Sequence, residues 1–403
     1  MPPEQALEPE PVRHPTARSC PFDPPPELGR YRESTPLRRL AYPDGHLGWL
    51  VTSHRLARTV LADDRFSARA DLKHVPVPRP AADPFIGAEV QPGWFVDLDP
   101  PEHTRYKRLV ISSFTARRMA ELRPRIERTV EGHLDALAQA GPPADLVEHF
   151  ALPVPSTAIC ELLGVPYGDR AEFQHNSTVL FSLTADAGEG VEAMRALDDF
   201  LLRLVRHKRR VPGDDLLSRM ASTSDLTDAE VAGAGVLLLT AGHETVAGML
   251  GLGVFALLSH PREWRRLRER PDLADNAVEE LLRYLSIFHF GVPRTPLEDV
   301  ELDGRTIRAG ESVTISLSAA NRDPQRFPHP DRLDLARATG GHIAFGHGIH
   351  QCIGQNLARL QLRVAYPALA ARFPDLRLAV PAGEVPLGGD MGFYGVHRLP
   401  VAW

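Results

Sequence analysis

The stretch LLLTAGHETVAGML, residues 237–250, narrows most what this chain can fold into. It is a long apolar helix interrupted by Gly242, His243, Glu244 and Thr245. Polar groups in the middle of such a helix are costly to bury unless they have partners or work to do. The threonine hydroxyl can bond back to the helix and the glycine loosens it, so a local kink is expected. The His-Glu pair does not open a zinc-protease HExxH motif, because position 247 is Ala. The longest strongly apolar run, residues 231–242, falls short of the ~20 residues a membrane-spanning helix needs. A soluble chain without membrane contact is therefore expected.

Other helices are predicted over 53–63, with Ser53 as N-cap, from Asp99 to about 114, and over 116–140, 154–164, 190–209, 228–259, 272–285 and 353–373. Strand signals are short: 46–53, VELDG with TIRAG, VTISL, and LRLAV near the end. Nothing resembles a βαβ series. The fold class expected is mainly α with small antiparallel β-sheets, an α+β arrangement. Residues 71–95 carry prolines without periodicity and form a long loop of the kind that is often functional. Residues 1–20 are proline-rich and expected to be a flexible arm, with 21–403 a single domain. The N-terminus has no basic start or apolar run, so a cytoplasmic location is expected. A net charge of −6 argues against general nucleic-acid binding.

The three cysteines, Cys20, Cys160 and Cys352, are far apart and form no CxxC pair. A disulfide framework or structural zinc site is not expected. Cys352 sits in FGHGIHQCIG, residues 345–354, at the start of a helix. Free N–H groups and the helix dipole favour a thiolate there. Gly346, Gly348 and Gly354 let the backbone pass close to something flat or bulky. Taken alone, a lone cysteine is more often a buried structural residue than a nucleophile or metal ligand.

The pattern Phe345-x-x-Gly348-x-x-x-Cys352-x-Gly354 resembles the haem-ligand loop of the cytochrome P450 family. The resemblance runs from about residue 20 to 403, with the supporting motifs in the family's order. It implies a triangular single haem domain in which Cys352 is the axial thiolate of haem b iron. Phe345, Gly346 and Gly354 would frame the sulfur, and His350 would reach a haem propionate. Ala241-Gly242-His243-Glu244-Thr245 matches the oxygen-side helix, so Glu244 and Thr245 are the candidate catalytic pair for proton delivery, with Ala241 and Thr245 facing the haem. His103 and position 107 match a propionate pair that is commonly His and Arg. Lys107 here offers a point charge without a bidentate fork. Arg294, in FGVPRT beside Val292, matches another propionate ligand. Glu280 and Arg283 match a buried structural pair, with Arg332 the expected third member.

The activity implied is insertion of one atom of O2 into a C–H or C=C bond of a small molecule. No dinucleotide fingerprint stands out, so NAD(P)H would act indirectly, through a separate ferredoxin and ferredoxin reductase. Arg105, Lys107, Arg108, Arg117, Arg118, Arg359 and Arg363 are expected to form a basic patch for an acidic ferredoxin. Substrate walls are assigned to Leu237, Phe288, Phe290, Val292 and Phe393, together with Phe85, Trp94, Leu180 and Phe181. They suit a bulky, largely apolar secondary metabolite of polyketide or macrolide type. A monomer is expected. The alternatives are a haem-thiolate peroxygenase or coupling enzyme and, outside enzymes, a haem-based sensor.

Overall fold

The computed structural model describes residues 10–223 and 225–403. Helices dominate: α1 (Pro26–Ser34), α2 (His54–Ala62), α3 (Glu102–Ile111), α4 (Ala116–Ala140), α5 (Pro153–Leu163), α6 (Arg170–Phe181), α7 (Ala187–Arg210), α8 (Leu216–Thr223), α9 (Asp228–Ser259), α10 (Pro261–Glu269), α11 (Ala274–Leu285), α12 (Leu317–Ala320) and α13 (Gln355–Arg372). The caps explain several boundaries. The Ser53 hydroxyl accepts the Leu56 amide at the start of α2. Reciprocal capping boxes open α7 (Asp186 with Glu189) and α9 (Thr227 with Glu230).

Helix α9 is the axis of the molecule. It runs unbroken through the predicted polar interruption, and the Thr245 hydroxyl bonds back to the Ala241 carbonyl at 2.9 Å. With 32 residues it is long and apolar enough to cross a bilayer by length and composition. Here they are packed inside the protein instead, against α5, α7, α11 and α13. A helix apolar all round finds its solvent in neighbouring helices.

The strands are short. β1 (Leu37–Ala41), β2 (Leu47–Val51) and β3 (Phe66–Ser67) join β5 (Val292–Pro296) and β8 (Val313–Ile315) in one sheet, ordered β1-β2-β8-β5-β3. Its pairings are antiparallel except β2 with β8. A second sheet joins β4 (Ala144–Asp145) and β9 (Arg377–Leu378) across β10 (Pro400–Ala402), and β6 (Val300–Leu302) with β7 (Arg305–Ile307) forms a hairpin.

Two expectations are corrected. A flexible arm over residues 1–20 does not hold for its described part. The Val12 amide bonds to the Arg39 carbonyl and its carbonyl accepts the Ala41 amide, and His14 is buried with its ring 6.1 Å from that of Phe290. Residues 1–9 lie outside the described residues.

The third member of the Glu280–Arg283 network is Arg337, not Arg332. Glu280 and Arg283 are fully buried and joined by two hydrogen bonds of 2.8 and 2.9 Å. Arg337 adds a bond of 3.0 Å to the same carboxylate and spends its other N–H groups on the carbonyls of Pro328, His329 and Arg332. Arg332 is exposed and contributes only that carbonyl. The network is satisfied on every side, so removing Arg337 takes a charge-assisted hydrogen bond from buried Glu280 and leaves the carbonyls of Pro328, His329 and Arg332 without their donor. Arg337→Leu should cost about 3 kcal/mol of stability, whereas Arg332→Leu should stay within about 0.5 kcal/mol. Chemical denaturation of both variants checks this, and equal losses would restore Arg332 to the role.

Candidate active site

The sulfur of Cys352 is carried by a loop that gets its shape from backbone hydrogen bonds and glycine. The Ile343 amide is held by the Asn321 side chain at 2.8 Å. The Gly346 amide turns back to the Ile343 carbonyl, and the Cys352 amide closes the loop on the Phe345 carbonyl, both at 2.9 Å. Gly348 has φ of +75°, and a Cβ there would lie 2.0 Å from the Leu61 carbonyl oxygen. The loop is thus pressed against the end of α2, where only glycine fits.

Glu279 fastens the loop from behind. Its carboxylate meets His342 at 2.9 Å, Arg359 at 2.7 Å and Arg363 at 3.3 Å. Burial alone would raise its pKa, but the hydrogen bonds from His342 and Arg359 bring it down to about 2. Arg359 also stacks over the Phe345 ring at 4.5 Å.

Burial pushes the Cys352 thiol above its ordinary pKa, against the pull of the Gly354 and Gln355 amides and of Arg359. A cation bound at the sulfur would favour the thiolate against that burial. The sulfur's exposed surface faces an interior cavity, to which neither other cysteine contributes. Cys160 is buried in α5, with burial raising its thiol to about 12.

That cavity has a volume of about 540 Å³. Phe345, Gly346, His350, Cys352 and Gly354 form one side, and Leu237, Ala241, Thr245 and Val246 of α9 another. Ala241 is exposed although α9 is buried continuously from Val231 to Thr240, because the cavity opens onto it. All the cofactor-side and substrate-side residues expected from sequence line this space, and so do Phe85, Trp94, Leu180 and Phe181. Glu244 does not. Its carboxylate accepts the Thr178 hydroxyl of α6 at 3.2 Å and lies 3.5 Å from His243 Nε2. The two members of the expected catalytic pair thus face different surroundings.

At one edge of the cavity donors and cations converge, and no carboxylate among the described residues bonds to them. The rings of His103 and His350 are 4.3 Å apart, and His103 Nδ1 and His350 Nε2 are buried without hydrogen-bond partners. Burial, with added repulsion from Lys107 and Arg294, lowers His103 to about 4. Burial and the charge of Arg294 take His350 to about 2. Arg294 is buried, its guanidinium bonds among the described residues only to the neighbouring Pro293 carbonyl, and burial lowers it to about 10 against the opposing charges of Asp99 and Asp97. Lys107 donates to the Ile349 carbonyl. The nearby carboxylates are engaged: Asp97 by Lys73, and Asp99 by the Ser67 hydroxyl and the Ala68 amide. Such an edge fits a flat cofactor carrying two carboxylates, with the Cys352 sulfur available to its metal. The residues present therefore fit haem.

Sequence reasoning missed the Glu279 cluster and Arg79, a guanidinium in the cavity wall. Glu279 was hidden by its neighbour Glu280, whose i, i+3 arginine drew the attention. The expected basic patch is also largely neutralised. Arg105 pairs with Glu230, Arg117 and Arg118 with Glu121, and Arg359 and Arg363 with Glu279. Arg108 is exposed, without an acidic partner among the described residues.

Residues 51–375 match the cytochrome P450 family. The chain is 50% identical over 394 residues to cytochrome P450 105C1 of a Streptomyces species, covering 98% of this chain and 99% of that protein. It is 44% identical over 397 residues to pentalenic acid synthase of Streptomyces avermitilis, with 98% of each chain covered. The crystal structure of CYP105P1 in complex with filipin I superposes with a TM-score of 0.92 at 42% identity, over 98% of this chain and 99% of that one. With the whole chain matched in sequence and in fold, one assignment follows: the chain belongs to the cytochrome P450 family and is an oxidoreductase of the monooxygenase type.

Proposed function

We propose that the protein inserts one oxygen atom into a bulky, largely apolar secondary metabolite, as a soluble cytoplasmic monomer fed by a separate ferredoxin and reductase that draw on NAD(P)H. The apolar cavity wall carries this reading. Phe181 and Phe288 flank Phe393, with ring centroids 4.7 and 4.8 Å away, and Leu237, Phe290 and Val292 extend the surface. Such a wall removes apolar surface from water at about 25 cal/mol per Å². Similar proteins that make pentalenic acid or bind filipin I agree with a substrate of this kind.

Cys352 would hold the iron, and His103, Arg294 and His350 the propionates, with Lys107 fixing the loop between them. A haem bound there with a thiolate ligand supplies the O2 activation that oxygen insertion requires. Thr245 Oγ1 donates to Ala241 and keeps its lone pairs free to accept a proton donor at the cavity wall. Glu244, paired with Thr178 outside the cavity lining, would take up protons on its own side of α9. Turning from Thr178 towards Thr245 would complete the route inward.

Reduced, carbon-monoxide-bound protein should show the thiolate-type absorption band. Cys352→Ser should lose it, while Cys20→Ser and Cys160→Ser keep it; a normal band in Cys352→Ser would refute the ligand assignment. Thr245→Ala should bind haem and substrate normally yet yield ~10-fold or more less product per NAD(P)H consumed, with peroxide released instead. Coupling measured at the wild-type value would remove Thr245 from proton delivery. Arg108 is the surface probe for the ferredoxin. Arg108→Glu should slow ferredoxin-supported reduction and flatten its salt dependence, because steering is screened by salt. Unchanged rates at low and high salt would exclude this patch.

A further inference from the structure

Arg79 lies between Pro78 and Pro80 in the long loop, with its side chain in the cavity wall. Its backbone is fixed, since its carbonyl accepts the amides of Ala82 and Asp83 at 2.8 and 2.9 Å. Its guanidinium has no hydrogen bond, ion pair or ring contact with any described residue. Burial alone lowers its pKa, with no acidic group acting to restore it. A second observation fixes where the group points. A Cβ at Gly392 would lie 2.3 Å from Arg79 Nη2, so glycine there leaves room for the guanidinium beside Phe393. The Gly392 amide is itself tied to the Phe181 carbonyl at 2.7 Å. Arg79 therefore sits at the aromatic wall. Its charge is felt at His289, which adjoins Phe290 and bonds to the Met391 carbonyl next to Gly392.

A half-buried guanidinium in an apolar cavity wall without a counter-ion is costly, and a planar carboxylate is the partner it fits best. We infer that Arg79 determines specificity by binding a carboxylate of the substrate, so that the substrate is an apolar molecule bearing a carboxylic acid. This rests on the reading of the cavity as an apolar substrate site. Glu89 and Asp97 also line the cavity. Asp97 is held by Lys73, and Glu89 is exposed and not bonded to Arg79.

The test compares a bulky apolar acid with its uncharged ester, abietic acid against methyl abietate, by calorimetric titration of the haem-loaded protein. The wild type should bind the acid on the order of 10- to 100-fold more tightly than the ester, the range expected of a hydrogen bond to a charged group. Arg79→Gln should bind the ester as the wild type does and lose the preference, while Arg79→Lys should keep part of it. Equal binding of acid and ester by the wild type, or a preference that survives in Arg79→Gln, overturns the role of Arg79 and leaves the apolar cavity reading standing. If both variants lose the ester as well, Arg79 is structural and the inference fails. If the wild type binds neither compound, both readings fail.

Discussion

Two adjacent carboxylates on α11 hold the site in place. Glu279 and Glu280 project from neighbouring positions of one helix, about 100° apart around its axis. Glu280 takes Arg283 and Arg337 and so fixes the irregular stretch that follows α12. Glu279 takes His342, Arg359 and Arg363 and so fixes the cysteine loop and the helix after it. Neither the stretch after α12 nor the cysteine loop itself lies in a sheet or an α-helix to define its path. Charge-assisted hydrogen bonds to one rigid helix replace that ladder. Every partner is supplied by the chain, so the sulfur's position follows from folding.

Much of this was legible in the sequence. Helices with a cap or a stop, such as α2 behind Ser53 and α4 before Gly141, were placed within a residue or two, because caps are local chemistry. Helices α1, α6, α8, α10 and α12 were missed. Helix α6 contains Asn, Ser and Thr, which favour turns, and α10 is so rich in arginine that its apolar stripe reduces to Trp264 and Leu267. Tertiary packing, not propensity, makes them helical. The choice between Arg332 and Arg337 had no local signal, since the stretch is irregular and arginine recurs through it. The pairing of Val12 beside Leu40 was hidden by a composition that reads as disorder.

The candidate site was legible where spacing fixes direction. His103 and Lys107, four residues apart on α3, do share the cavity edge. Spacing failed where consecutive residues face different ways. Glu244 and Thr245 adjoin in sequence, yet a helix turns about 100° per residue, so one meets α6 and the other the cavity. Arg79 lay beyond reach because a proline-flanked loop has no period from which to read a direction.

The all-round apolarity of α9 bears on how the protein is made. During synthesis its last residue, Ser259, is complete well before α13 begins at Gln355. At typical elongation rates that interval lasts on the order of 5–20 s. Throughout it, one flank of a helix apolar enough for a membrane lacks the neighbours that will cover it. The nascent chain therefore passes through a window of exposure to aggregation and chaperone capture. Slower translation across residues 260–354 would lengthen that window, and its cost would fall on the yield of soluble protein, not on the finished molecule's stability.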